Sequence, residues 1–301
     1  MNPHLRADLL LVATTLIAAA GWIFSKEALA GFSPLLFIAL RFSGAGLVLA
    51  FFSLKPLQNL NKKQWVTALK VGLLFGCAMV FWILGLQHAQ HLGVGAFLTS
   101  LGVVMVPLLN FALGGEKPSR FAFLSLPFVV SGLAVLSLDS EFYFGWGELC
   151  FLLSATFLAF MFIFNSRAAA GISALPLTSI QLLVTGLITG GTSFVFEEWS
   201  FQYSPAIWGW FFASLFLATS LRFLMQTYAQ GLAPPSHTAI IMTLEPVWTA
   251  LLASFWFSEV MSFSQLLGCT LIFLAVLVNR LPALRLWLKS RRSSCPKTPY
   301  P

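Results

Sequence analysis

Three charged side chains stand inside long apolar stretches: Arg41, Arg222 and Glu245. A charge at the centre of a membrane helix costs about 2.5–3.5 kcal/mol on insertion scales, so such a residue faces a partner or a wet cavity. Arg222 lies 8 residues before the end of its apolar run and Glu245 lies 9 residues after the start of the next. At 1.5 Å per residue, both sit about 12–14 Å from the same membrane face. A short loop joins the two runs, so the spacing predicts an Arg222–Glu245 ion pair. Such a pair either locks two helices together or acts as a gate or proton-linked switch. Gln226, one turn from Arg222, is placed to line the same cavity. Arg41 falls about 10 Å below the opposite face. It either snorkels to that surface or offers a bidentate site for a carboxylate or other anionic group.

Other residues could support this chemistry. His237 precedes Glu245 by eight residues, a spacing that returns to a similar helix face and would suit a proton relay. Pro246 follows Glu245 directly, and Pro107 holds a comparable place earlier in the chain. Each removes a backbone hydrogen bond and is a candidate kink or gate element. Trp22 and Trp248 lie deeper than the other tryptophans, as packing residues or as cavity walls. No phosphate loop, nucleotide fingerprint or nucleophile elbow occurs. The cysteines at 77, 150, 269 and 295 lack metal-ligand spacing, so neither a metal nor a cofactor is expected. This argues against an enzyme and against ATP-driven transport by this chain alone.

The elements that carry these residues follow from composition. Hydrophobic residues make up 58 % of the 301 and charged residues 9 %, with a mean hydropathy of +0.86. Soluble domains carry roughly 25 % charged residues, so the natural solvent of this chain is lipid. Apolar runs fall at about 9–29, 34–54, 66–86, 93–113, 121–138, 146–165, 175–196, 206–230, 236–257 and 263–281. They are too long for barrel strands, and isolated strands leave backbone groups unsatisfied in lipid, so they read as ten helices. The first run continues past Ala18, Ala19 and Ala20, which marks a retained helix rather than a cleaved signal.

The net charge of +7 does not indicate nucleic acid, because the basic residues lie between apolar runs and in the tail. Arg6, Lys55, Lys62, Lys63, Lys70, Lys117, Arg120, Arg167, Arg280, Arg285, Lys289, Arg291, Arg292 and Lys297 share one side. Lys26 sits on the other, with Glu27, Asp139, Glu141, Glu148, Glu197, Glu198 and Glu259. By the positive-inside rule both termini are cytoplasmic, which requires an even number of spans.

The halves look alike. Ala89-Gln90-His91-Leu92 precedes the span with Pro107, and Ala229-Gln230-Gly231-Leu232 precedes the span with Pro246. Five spans per half is odd, so the repeats have opposite orientation, as in transporters whose site lies near the midplane. Leu244-Glu245-Pro246-Val247-Trp248, the following Phe257-Ser258-Glu259, Arg41-Phe42, Trp22 and Gly114-Gly115-Glu116 resemble the motifs of the drug/metabolite transporter superfamily in its EamA-type form. The resemblance implies an all-α integral membrane protein with ten transmembrane helices in two inverted five-helix repeats around a central cavity. It places the first repeat at 1–140, the second at 141–281 and a basic cytoplasmic tail at 282–301. It implies a multi-pass protein of a bacterial inner membrane. The expected activity is secondary-active export of a small metabolite, amino acid or drug-like compound by alternating access. A channel or lipid translocator is the alternative. The expected partners are a small-molecule substrate and the bilayer; no residue pattern specifies an oligomeric state.

Overall fold

The computed structural model describes residues 3–88, 92–137, 145–199, 201–257 and 262–293. The stretches holding Gln90, His91, Asp139, Glu141, Glu259, Cys295 and Lys297 lie outside the described residues. The described residues are almost wholly helical: α1 Pro3–Ala28, α2 Pro34–Phe52, α3 Leu54–Gln58, α4 Lys62–His88, α5 Leu92–Ala112, α6 Arg120–Ser137, α7 Trp146–Ala169, α8 Ala174–Phe196, α9 Pro205–Leu215, α10 Arg222–Gln230, α11 Pro235–Met242, α12 Leu244–Phe257 and α13 Phe263–Ser293. A π-helical turn, Phe216–Leu221, joins α9 to α10. Eight helices or joined helices are long and apolar enough to cross a membrane, and the apolar parts of α6 and α13 are shorter. These make the ten expected helices. The last helix does not stop at 281 but runs on to Ser293.

The packing repeats when the halves of the chain are exchanged. Such an exchange pairs α1 with α7, α2 with α8, α4 with α9–α10, α5 with α11–α12 and α6 with α13. The pairs α2–α8 and α6–α13 then map onto themselves, α4–α7 maps onto α1–α9/α10, and α5–α7 maps onto α1–α11/α12. All of these contacts are present. An odd number of helices per half makes this symmetry an inversion across the membrane. It also interlocks the halves: α1 packs chiefly on α9–α12, and α7 packs on α4 and α5.

Small residues let these helices approach, as expected where lipid removes the hydrophobic drive for helix association. At the α6–α13 crossing, a Cβ on Gly132 would lie 2.9 Å from the Gly268 carbonyl oxygen, and one on Gly268 would lie 2.8 Å from that of Gly132. Two chain ends of elements are closed by charge. Glu197 accepts from the Leu35 and Leu36 amides at 2.9 and 2.8 Å, satisfying orphan donors at the α2 N-terminus. Arg167 donates to the Asn110 side-chain oxygen at 3.1 Å and the Leu113 carbonyl at 3.2 Å, covering the C-terminal end of α5.

Candidate functional site

The site forms where α1, α10 and α12 meet. Pro246 is the third residue of α12, and the helix is interrupted just before it, at Thr243, between α11 and α12. Proline has no N–H for the Met242 carbonyl, so the ninth span is two half-helices. The break puts Glu245 in the first turn of α12, where the positive end of the helix dipole favours a carboxylate. Pro107 has no such effect: α5 runs unbroken through it.

Glu245 is fully engaged. Arg222 Nη2 donates to Glu245 Oε2 at 2.9 Å, and Trp22 Nε1 donates to Glu245 Oε1 at 3.1 Å. The expected ion pair is therefore present, with a tryptophan from the other half as its third member. Open space reaches it, since the Arg222 and Glu245 side chains keep 18 % and 22 % of their exposure. Trp22 is 49 % exposed and stands edge-on to Trp82 of α4, with ring centroids 6.3 Å apart.

Arg41 lies one turn further along. It does not snorkel. Its Nη1 donates to Ser25 Oγ at 2.9 Å, its Nη2 to the Ala218 carbonyl at 3.2 Å, and its Nε to Thr219 Oγ1. Ser25 is three residues beyond Trp22, and Ala218 and Thr219 precede Arg222 by four and three. The π turn makes this possible. Its i−5 pattern loosens the backbone at 216–221 and presents the Ala218 carbonyl to the guanidinium. Ser25 and Thr219 hydroxyls donate back to Gly21 and Ser214 carbonyls, leaving their oxygens to accept from Arg41. Gly21 permits the approach, because a Cβ there would lie 2.5 Å from that of Ala218.

The remaining predicted residues are placed elsewhere. Trp248 Nε1 donates to Thr15 Oγ1 at 3.2 Å, toward the basic end from the cluster. His237 is not joined to Glu245. Its Nε2 faces Asp8 Oδ1 at 3.0 Å and its Nδ1 accepts from Asn279 Nδ2 at 3.3 Å. The eight-residue spacing assumed a continuous helix, and the break at Thr243 removes that register. Gln226 is only 4 % exposed, and its side-chain oxygen has no partner among the described residues, so it does not face the open space.

Asp8, Thr15, Ser25, Thr219 and Asn279 were not singled out from the sequence. A signal was present: Asp8, Thr15 and Trp22 recur every seven residues along one face of α1, and all three bond to α11 or α12. The π turn has no comparable signature.

Toward the basic end the core is apolar. Leu11, Val106, Ala159, Ile163, Ala229 and Ile241 form a buried apolar cluster drawn from five helices. Asn165 of α7 donates to Thr227 Oγ1 at 3.2 Å and to Gln230 Oε1 of α10 beside it. A separate cleft at that end, about 570 Å³, is walled by residues such as Arg6, Leu175 and Tyr228. It does not touch Trp22, Arg222 or Glu245.

The EamA-like transporter family matches residues 5–138 and 145–281. An uncharacterized transporter of Bacillus subtilis, YoaV, is 23 % identical over 283 residues, covering 89 % of this chain and 94 % of its own. A second, YvbV, is 25 % identical over 290 residues, covering 92 % of each. An uncharacterized transporter of Archaeoglobus fulgidus is 24 % identical over 275 residues, covering 91 % of this chain and 86 % of its own. A crystal structure of a protein 19 % identical to the chain shares its fold, with a TM-score of 0.81 over 93 % of this chain and 98 % of the other. The chain belongs to the EamA-like transporter family and is a multi-pass membrane transporter, not an enzyme.

Proposed function

We propose that the protein is a secondary-active exporter of a small organic metabolite, amino acid or drug-like compound, working by alternating access. The observation that carries this reading is the Trp22–Arg222–Glu245 cluster. A charged pair deep in the bundle, reached by open space and held by helices from both halves of the chain, is what a midplane binding site requires. The buried cluster at the basic end and the accessible Trp22 on the far side correspond to a path closed at one end and open at the other.

In this reading the chain comprises an inverted repeat over 1–140, a second over 141–281 and a basic tail over 282–301. It lies in a bacterial inner membrane with both termini in the cytoplasm. The interlocked packing favours moving bodies that differ from the sequence halves. One would hold α1 with α9–α12 and the other α7 with α4 and α5, turning about the self-paired α2–α8 and α6–α13 contacts. Pro246 supplies the break that presents Glu245, and Trp248 braces α12 on α1.

The test is metabolite profiling of cells with and without the gene, followed by counterflow of the identified compound in liposomes. A carrier gives counterflow that Glu245→Gln abolishes. Uptake that dissipates with its gradient and shows no exchange would mark a channel and overturn the proposal.

A further inference from the structure

The site's charges do not balance. Arg222 and Glu245 neutralise one another, and both Glu245 oxygens are already used, by Arg222 and Trp22. Arg41 is left with the Ser25 hydroxyl, the Thr219 hydroxyl and the Ala218 carbonyl, all neutral acceptors. No carboxylate pairs with it among the described residues. Arginine stays protonated in proteins, so this turn of the bundle carries one net positive charge. Guanidinium has five N–H donors, and these contacts account for three.

The surroundings of that charge are apolar. Phe37 and Phe42 flank the Arg41 guanidinium with ring centroids at 5.6 and 5.8 Å. One turn away, Trp22 and Trp82 form an edge-on aromatic pair beside the open space. A cation fixed by neutral groups in a low-dielectric place attracts an anion more strongly than it would in water. Aromatic walls bind a flat apolar body.

Resting on the carrier reading above, we propose that the open space beside Trp22 takes an organic monoanion: a carboxylate directed to Arg41, with an apolar or aromatic body against Trp22 and Trp82. Glu245, with an oxygen held by each of Arg222 and Trp22, orients these two, and the ligand's carboxylate goes to Arg41. A cationic amine would meet uncompensated positive charge and be excluded.

Thermal unfolding of the purified full chain in detergent tests this without requiring transport. The probes are benzoate, its neutral amide benzamide, and the cation benzylamine, each titrated separately, with inorganic phosphate as a fourth arm. The expected result is a concentration-dependent rise in Tm with benzoate and none with benzamide or benzylamine. Replacement Arg41→Gln should weaken the benzoate effect by about tenfold or more. Because Arg41→Gln could itself unfold the bundle, Ser25→Ala serves as the milder variant, and it should shift the benzoate midpoint in the same direction. Stabilisation by benzylamine, equal stabilisation by benzoate and benzamide, or no response to any probe overturns the proposal. A response to phosphate alone also overturns it, since it shows an anion site without the apolar component. A chain that binds benzoate yet shows no counterflow retains the anion site and refutes the carrier reading, so the two failures are distinct.

Discussion

At the scale of the residue, the site is one carboxylate holding two partners. Each hydrogen bond to a charged group contributes roughly 1.5–3 kcal/mol, and removing one partner leaves the other unpaired in a partly buried place. Glu245→Gln should therefore abolish transport and lower Tm by several degrees. The double variant Arg222→Met/Glu245→Gln separates structure from function. It removes both charges, so it should recover most of the lost stability while transport stays absent, as measured by thermal unfolding and counterflow. Recovery of transport in the double variant would mean the pair is only a lock. Thr15→Val is expected to be mild. It removes one neutral hydrogen bond from Trp248, costing about 1 kcal/mol, and transport should persist.

At the scale of the element, two irregularities position the chemistry. The break at Thr243 gives Glu245 a helix N-terminus, and the π turn holds the Ala218 carbonyl that accepts from Arg41. Deleting Leu217 should convert the π turn to regular α-helix. A π turn absorbs one extra residue, so the chain on either side keeps nearly the same register after the deletion. The Arg222–Glu245 pair should survive, while the Ala218 carbonyl is drawn into the regular helix ladder and its contact with Arg41 is lost. Helix content by circular dichroism should hardly change, while transport is lost. The proline break was legible as Glu245-Pro246, whereas at Pro107 α5 runs on without a break. Helix crossings give a paired prediction. Gly268→Val should cost about 1–3 kcal/mol, because a Cβ there meets backbone of α6 that cannot yield. Gly190→Ala should be tolerated, since its Cβ would meet only that of Ala39 at 3.5 Å.

At the scale of the whole molecule, the first helix of each half is packed into the other. Two polar contacts join α1 to α12, through Thr15 and Trp22. The symmetry-related α5–α7 contact is instead closely packed at Gly95 against Phe151 and at Gly102 against the Ala155 carbonyl. The repeats thus share a fold but differ in chemistry, which puts the charged cluster on the α1 side. Ten crossings return the chain to the face where it began. A fluorescent protein fused after residue 301 should therefore be bright, and alkaline phosphatase at the same point should be inactive. The reverse pattern would refute the cytoplasmic placement of the C-terminus.

The sequence by itself determined the solvent, the helix number and the pairing of Arg222 with Glu245. Those depend on composition, on run length against membrane thickness, and on the short loop between neighbouring spans, all of which are local. Only the tertiary structure decided that Trp22 completes the pair, that Arg41 is bound by Ser25 and a π turn, and that His237 answers to Asp8 and Asn279 rather than to Glu245. These contacts join residues far apart in the chain, and their register depends on a broken helix and an added residue per turn. Hydrophobic periodicity does not encode either feature.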